Sequence, residues 1–305
     1  MRPNAPPPQR LSCVNDTCQP AGPQSSQPKW MPEHWRANND AGARLSWLLD
    51  SAPFAYPAAD GAAPALLCFS EKAGSTMWKQ LLLAARGVPG FPSPRLSPHQ
   101  LRLRNVSTKA HVWAWLQHNE SAHRFMWVRH PLDRLLSGWL DPTARRKDPK
   151  TRNLTSFGEF VRAIVSSPMV NEHFALQSSK CGVPDGLRYR WLQVEDEAAW
   201  FATVASVLGL GKAAASGWRE FHGSTDCFVP AACSSPVATA HANHASARME
   251  EFYDRELACM ANTWAMPDLH LFGYEPWWPD ATPASYRSAC LRRAGGLRGL
   301  VPRRF

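Results

Sequence analysis

The sequence predicts an α/β fold in which a mostly parallel sheet carries helices on both faces. Three short apolar runs, at residues 65–70, 123–129 and 189–194, have the length and composition of buried strands. Helical patterns alternate with them and continue down the chain. These patterns cover residues 77–86, 131–140, 155–166, 197–208 and 246–264. Strands that alternate with helices favour parallel pairing, and such sheets bind nucleotides in the loops after their strands.

Composition divides the 305 residues into three segments. Residues 1–60 begin with a stretch rich in proline, serine and glutamine, which is typical of a stem or linker. They continue as a transitional segment with a short helix predicted at residues 41–49. Residues 61–280 contain all the predicted strands and form a single folded domain. Residues 281–305 form a basic C-terminal tail with six arginines and no acidic residue.

The positive charge of the chain is concentrated in that tail. The whole chain carries a formal charge of +9, and six arginines lie after residue 280. Because no nucleic-acid-binding motif accompanies them, the sequence predicts no nucleic-acid partner. The longest helical apolar run, residues 200–211, is far shorter than the ~20 residues that a membrane span needs. Residues 1–8 also lack the apolar core of a signal peptide.

Cysteines and glycosylation motifs favour a secretory compartment. The chain has eight cysteines and no C-x-x-C motif, so a zinc ribbon is not expected. Cys13 with Cys18 and Cys227 with Cys233 are the natural local disulfide candidates, whereas Cys68, inside a predicted strand, is more typical of a buried thiol. Four asparagines lie in N-x-[ST] glycosylation motifs: Asn15, Asn105, Asn119 and Asn153.

The first motif that carries chemistry follows the first predicted strand. A turn of small residues leads directly into a helix, so backbone N–H groups and the helix dipole point to one place that suits a phosphate. Lys72 adds a mobile positive charge, although no glycine precedes it at the spacing of an ATP-type loop. The predicted ligand-binding residues are Lys72, Ala73, Gly74, Ser75, Thr76 and Met77.

The second motif repeats this layout. The second predicted strand ends at Arg129, Pro131 suits the first turn of a helix, and Ser137 follows eight residues after the arginine. A guanidinium at a strand end offers a fork for a phosphate. Ser137, about two helical turns further on, reaches the same anion if the helix packs across the strand tip. We therefore expect Arg129 and Ser137 to bind a phosphate together.

The two motifs together resemble the paired cofactor loops of sulfotransferases. The first is similar to the loop that binds the 5′-phosphosulfate of 3′-phosphoadenosine 5′-phosphosulfate (PAPS), and the second to the Arg…Ser element that binds its 3′-phosphate. Three later segments are similar to blocks of the Golgi carbohydrate sulfotransferases, the group that includes the chondroitin sulfotransferases. They are a His-aromatic…Gln…Cys block at 171–182, a strand with an acidic end at 189–196, and a segment from 252 to 274 that ends in Asp…Phe-Gly-Tyr.

The resemblance implies a P-loop-kinase-like sheet, with residues 61–280 as the catalytic domain of a PAPS-dependent carbohydrate sulfotransferase. The acceptor is then a hydroxyl of a glycan or glycoprotein, PAPS is the co-substrate, and no metal is required. Such enzymes normally work in the Golgi lumen, held to the membrane by an N-terminal anchor. The sequence predicts no anchor, so the chain is expected to be either a shortened form or one that has lost it.

The resemblance also assigns roles to individual residues. His173 is the expected general base, because an imidazole that titrates near neutral pH suits the removal of a hydroxyl proton. Lys72 is expected to stabilise the charge that builds on the departing phosphate. The basic residues Arg145, Arg146 and Lys147 follow the second motif. We expect them either to contact an acidic glycan or to form a solvated loop.

Two positions depart from the pattern of the family. Glu71 stands where proline is usual, and Met77 replaces a small polar residue. A carboxylate beside the lysine would repel a phosphosulfate, so Glu71 is expected to point away, as adjacent strand residues do. Glu195 is expected to position a base, to bind the acceptor or to pair with an arginine, and His130 to contact the nucleotide.

Two other functions stay open at this point. A P-loop kinase is disfavoured by the missing Gly-x4-Gly-Lys pattern and by the Arg…Ser element. A non-catalytic glycan-binding module that keeps the fold is favoured only by the charge of Glu71. Nucleotide preference separates the first alternative from a sulfotransferase, and sulfate transfer to desulfated glycans separates the second.

Overall fold

The computed structural model describes residues 11–14, 17–20, 54–56, 59, 65–88, 123–147, 151–166, 172–185, 187–216 and 244–294. Its strands are β1 (Leu11–Val14), β2 (Thr17–Pro20), β3 (Phe54–Tyr56), β4 (Ala65–Phe69), β5 (Arg124–Val128) and β6 (Arg190–Gln193). Strands β4, β5 and β6 correspond to the three predicted strands. The predicted helix at 41–49 lies outside the described residues.

Helices occur at all five predicted positions, one of which is broken, and the described residues contain three further helices that we did not predict, at 142–147, 211–216 and 284–294. The helices are α1 (Ser75–Ala85), α2 (Pro131–Trp139), α3 (Pro142–Lys147), α4 (Phe157–Val165), α5 (Glu197–Leu208), α6 (Gly211–Ser216), α7 (Met249–Phe252), α8 (Arg255–Phe272) and α9 (Ala284–Ala294). The prediction of one helix over 246–264 is wrong, because the backbone is extended at Tyr253 and Asp254. The Asp254 side chain then accepts hydrogen bonds from the N–H groups of Glu256 and Leu257, which starts α8 as a separate helix.

The central sheet confirms the predicted α/β fold class. Its strand order is β3-β4-β5-β6, with parallel pairing from β4 to β6 and an antiparallel edge strand β3. Phe69 is the register partner of Trp127, and the two rings stack with centroids 4.4 Å apart. The three parallel strands therefore end together, and the loops that follow them meet at one edge of the sheet.

Alternate residues of the strands face two separate cores. On one face, Trp78 of α1 contacts Trp127 of β5 and Trp200 of α5, with ring centroids 4.9 and 5.4 Å apart. On the other face, Met126 packs in a cluster with Phe272 of α8. Both faces of the sheet are thus covered by helices, which is why β4 and β5 are buried in an almost continuous run without alternation.

A disulfide at β4 corrects one prediction. Cys68 is bonded to Cys181, 113 positions away, and is therefore not the free buried thiol that we predicted. A second disulfide joins Cys259 to Cys290. Cys13 and Cys18 are register partners in the β1–β2 hairpin. The disulfide between them stays a prediction. The other predicted pair, Cys227 and Cys233, lies outside the described residues.

The packed structure reaches past both predicted domain boundaries. Strand β3 precedes residue 61 and pairs with β4, while α9 follows residue 280 and is tied to α8 by the second disulfide. The boundaries at 61 and 280 stay predictions, as does glycosylation, although Asn153 is exposed in a turn. None of the helices in the described part of the chain combines the length and apolar character that a membrane-spanning segment needs.

Candidate active site

The loop after β4 is a tight turn that leads directly into helix α1. The N–H of Ala73 donates to the carbonyl of Ser70 at 3.2 Å, and the chain then enters α1 at Ser75. Lys72 and Gly74 both have positive φ angles, 68° and 71°. Glycine adopts this conformation without strain, whereas a lysine there must be held by its surroundings. The loop therefore brings the first turn of α1, whose N–H groups lack partners within the helix, to the carboxyl edge of the sheet.

Arg134 draws three predicted segments together. This α2 residue is buried, and its guanidinium donates to the carbonyls of Glu71 and His173, at 3.1 and 3.0 Å, and to that of Ala175. Burial lowers the pKa of Arg134 to about 10, so the side chain remains charged at neutral pH. One cation thus fixes the Lys72 loop, helix α2 and the His173 segment relative to each other.

Arg129 reaches the same loop from the end of β5. Its Nη1 donates to the carbonyl of Lys72 at 3.0 Å, which connects the two predicted phosphate-binding motifs. Its Nε and Nη2 donate to the two carboxylate oxygens of Asp133, at 2.7 and 2.9 Å. The fork of Arg129 therefore faces a carboxylate, and a phosphate at this place would share the guanidinium with Asp133. Ser137 is buried one helical turn beyond Asp133, on the same face of α2.

Behind Arg129 lies a clamp formed by Gln177 and Asp268. The Gln177 side chain accepts from the Arg129 N–H at 3.0 Å and donates to the Arg129 carbonyl at 2.8 Å. The Asp268 carboxylate of α8 accepts in turn from the N–H groups of Gln177 and Ser178, both at 2.8 Å. All of these groups are buried or partly buried, so helix α8 sets the position of the β5 tip.

Glu71 forms an ion pair with Lys180. Our reason for expecting Glu71 to point away, the alternation of strand residues, was wrong. Strand β4 ends at Phe69, so Glu71 lies in the turn and strand alternation does not apply to it. Its carboxylate forms an ion pair with Lys180, whose side chain is only 1% exposed and also donates to the Glu172 carbonyl at 2.7 Å. Burial lowers the pKa of Lys180, and the charge of Asp268 opposes that shift.

The ammonium of Lys72 contacts a residue that neither motif contains. Its Nζ forms an ion pair with the carboxylate of Asp141, in the link between α2 and α3. The same carboxylate accepts from the N–H groups of Thr143 at 2.8 Å and Ala144 at 3.3 Å, so it also caps α3. Burial raises the pKa of Asp141, but these hydrogen bonds and the Lys72 charge outweigh it and hold the pKa below its usual value.

His173 stands against helix α2 because that helix has a glycine at its point of closest approach. A Cβ on Gly138 would lie 2.7 Å from Phe174 Cε1 and 3.7 Å from the His173 carbonyl oxygen. The imidazole is partly exposed, and its Nδ1 is 4.0 Å from a carboxylate oxygen of Glu172. Gly138 thus permits the contact that brings His173 next to the Arg134 network.

His130 and Glu195 have structural partners at the same sheet edge. The Glu195 carboxylate accepts from the His130 N–H at 2.6 Å and from the Tyr274 hydroxyl at 2.8 Å. His130 Nε2 donates to the Glu275 carbonyl at 3.0 Å, and burial lowers the pKa of the imidazole. Glu195 therefore joins the β5 tip to the end of α8, and it has no arginine partner among its contacts in the described residues.

The basic residues after α2 divide into different environments. The guanidinium of Arg145 stacks on the ring of Trp139, 4.0 Å from its centroid, and its backbone carbonyl accepts from the Thr151 hydroxyl. Arg146 is exposed on α3. Lys147 ends that helix, and its side chain lies outside the described part of the chain. Arg145 is thus held against the domain, whereas Arg146 projects into solvent.

Sequence analysis missed several of the residues that shape the site. Gln177, Lys180 and Asp268 lie inside the segments that carried the family resemblance but received no role. Their partners are 48 to 109 positions away in the chain, so no local pattern pointed to them. Asp141 did have a local signal in the sequence, because an aspartate directly before Pro142 is typical of a helix start.

This arrangement defines an α/β protein with cations and the His173 segment at the carboxyl edge of a parallel sheet, which is where such sheets bind their ligands. The family model described as the Sulfotransferase family matches residues 61–222, which is more than half of the chain. The chain therefore belongs to the Sulfotransferase family, and this membership supports a transferase that moves a sulfuryl group. Neither the curated proteins nor the solved structures contain a significant match.

Proposed function

We propose that this protein transfers the sulfuryl group of PAPS to a hydroxyl of a glycan. The observation that carries the proposal is the convergence of three segments at one sheet edge. Arg129 donates to the Lys72 carbonyl, and Arg134 donates to the carbonyls of Glu71 and His173. The turn that we propose to bind the phosphate, a second cation and the His173 segment are thus joined by hydrogen bonds within a sulfotransferase domain.

The residues of the donor loop fit a phosphosulfate. The start of α1 offers backbone N–H groups, and Lys72 offers a cation whose ammonium contacts Asp141. Ser70 Oγ is buried without a hydrogen-bond partner among the described residues, so the loop holds an unused hydroxyl. Glu71, the one carboxylate of the loop, is already paired with Lys180. When bound, PAPS supplies the sulfuryl group and the nucleotide as leaving group.

His173 is the proposed general base. Its imidazole is partly exposed, so an acceptor hydroxyl has access to it, and its backbone carbonyl is fixed by Arg134. The Glu172 carboxylate stabilises the imidazolium that forms when His173 takes the hydroxyl proton. Lys72 stabilises the negative charge on the departing phosphate, and this chemistry requires no metal.

The acceptor and the location are inferred from the family and from the sequence. Arg146 is an exposed cation on α3, the helix that begins at the Lys72 counterion Asp141. It therefore suits contact with an acidic glycan better than the stacked Arg145. Two disulfides in the described residues agree with an oxidising compartment, for which we propose the Golgi lumen.

Calorimetry with two nucleotides tests the donor site. Adenosine 3′,5′-bisphosphate should bind at least about tenfold more tightly than AMP, because a charge-assisted phosphate contact contributes about 1.5–3 kcal/mol. Arg129→Ala should remove most of that difference in affinity, and Ser137→Ala should remove part of it. Equal affinities on the wild type would exclude a 3′-phosphate clamp, and a preference for ATP would indicate a kinase.

Transfer of radiolabelled sulfate from PAPS to a panel of desulfated glycans tests the reaction. His173→Ala should lower turnover by roughly 10²–10⁴-fold and leave the affinity for adenosine 3′,5′-bisphosphate near that of the wild type. His270→Ala, which changes an exposed histidine at the end of α8, is the matched control and should keep full turnover. Glycan binding without transfer by the wild type would instead indicate a binding module.

A further inference from the structure

The Asp141 carboxylate makes two separate interactions, a helix cap and an ion pair. The effect of its charge can therefore be tested separately from that of its capping hydrogen bonds. One carboxylate oxygen accepts from the Thr143 and Ala144 N–H groups and caps α3, while the other binds the Lys72 ammonium. An asparagine or serine would serve equally well as the cap, because capping needs only a side-chain oxygen. Only the ion pair needs the negative charge.

The backbone of the Lys72 loop is fixed, whereas the side chain of Lys72 has room to move. Arg129 holds the Lys72 carbonyl at 3.0 Å, and Arg134 holds the preceding Glu71 carbonyl at 3.1 Å. Beyond the Cα atom, Lys72 has four flexible carbons, and its side chain is 18% exposed against 30% for Asp141. The ammonium is therefore able to change partners without any rearrangement of the loop.

Resting on the proposed function, we propose that Asp141 is the counterion that Lys72 exchanges for the phosphosulfate of the donor. In the free protein the carboxylate holds the ammonium at the mouth of the loop. When an anion binds at the start of α1, Lys72 turns to it and leaves Asp141 with its helix-capping hydrogen bonds. Asp141 is thus a positioning residue that acts through Lys72 and lowers the net affinity for the donor nucleotide.

Two properties of Asp141 argue against an alternative role as the general base. Both of its oxygens accept hydrogen bonds, from two backbone N–H groups and from the ammonium. The pKa of its carboxyl is held below the usual value, because the Lys72 contact and the backbone N–H groups outweigh the opposite effect of burial. A weakly basic carboxylate with both oxygens engaged suits a counterion.

The test measures affinity for adenosine 3′,5′-bisphosphate by calorimetry in two backgrounds. Asp141→Asn should bind about tenfold more tightly than the wild type, because binding no longer costs the Lys72–Asp141 contact and no longer meets a repelling carboxylate. In a Lys72→Met background only the repulsion is left, so the same change should tighten binding by less than about threefold. Structural damage would weaken binding in both backgrounds.

Three further variants and the wild type separate the possible results. Asp141→Glu keeps the charge and should stay near wild-type affinity, while Asp141→Ser, a second neutral cap, should repeat the effect of asparagine. Asp254→Asn changes the matching cap of α8 and should alter nothing. Equal tightening in both backgrounds, or no tightening, overturns the exchange while the proposed function stands. A wild type that binds no bisphosphate overturns the proposed function and this inference together.

Discussion

Gln177 holds both backbone polar groups of Arg129 with its single side-chain amide. The carbonyl oxygen of the amide accepts from the Arg129 N–H at 3.0 Å, and the nitrogen donates to the Arg129 carbonyl at 2.8 Å. These groups lie where β5 ends and sheet pairing no longer satisfies them. Asp268, on the distant helix α8, fixes Gln177 itself. The orientation of the Arg129 side chain thus depends on a contact between the 3₁₀ turn Gln177–Ser179 and α8.

Replacement of the Gln177 amide should destabilise the protein and weaken nucleotide binding together. Gln177→Leu keeps the volume but leaves the N–H and carbonyl of Arg129 without partners, at a cost of roughly 2–3 kcal/mol in the free energy of unfolding. Urea unfolding measures this loss, and calorimetry should show weaker binding of adenosine 3′,5′-bisphosphate. Gln193→Leu removes one hydrogen bond, to the Phe272 carbonyl, and should cost about 1 kcal/mol. Equal losses for the two variants would contradict the clamp.

The ion pair of Glu71 and Lys180 should respond unequally to the loss of either partner. Lys180 is 1% exposed and Glu71 is 20% exposed, so a lysine left alone is the more poorly solvated charge. We expect Glu71→Gln to lower the free energy of unfolding by about 3 kcal/mol, and Lys180→Met to lower it by less. Urea unfolding of both single variants and the double variant measures the coupling. The exposed pair Arg248–Glu251 is the control, and Glu251→Gln should change stability little.

An added methyl group on Gly138 should displace the His173 segment. The new Cβ would lie 2.7 Å from the Phe174 ring, closer than side chains pack, so the predicted loss of stability is about 1–3 kcal/mol. The same shift should lower sulfate transfer more than nucleotide binding, because it displaces His173 directly while Arg129 still holds the Lys72 carbonyl. Gly211→Ala has nothing within 4 Å of the new Cβ and should be neutral or slightly stabilising. Full transfer activity in Gly138→Ala would contradict this role.

The free energy of unfolding should fall as the pH rises from about 4.5 to about 7, because of the carboxyl group of Glu197. Burial raises the pKa of its carboxyl to about 7, against the opposing hydrogen bond of Trp78. The folded state therefore keeps a proton that the unfolded state has released, so stability falls through this window. Because Glu197 is only partly buried, we expect a loss of roughly 1–3 kcal/mol. Glu197→Gln should flatten this part of the pH profile of thermal unfolding, and an unchanged profile in this variant would contradict the assignment to Glu197.

The sequence by itself determined the sheet and the position of the site along the chain. Apolar runs of six or seven residues identify the strands, and β4, β5 and β6 lie within one residue of the predicted bounds. The turn after β4 and Pro131 at the start of α2 mark where helices begin. These features are local, because backbone conformation and burial leave a pattern within a few neighbouring residues.

Only the tertiary structure decided which charges and cysteines meet. Glu71 pairs with Lys180, 109 positions away in the chain, and Lys72 pairs with Asp141, 69 positions away. Cys68 forms a disulfide with Cys181, 113 positions away. Each partner lies in a loop or at the end of a helix, and its choice depends on how those loops come together above the sheet. Periodicity reports which face of an element is buried, but it carries no information on which distant residue covers that face.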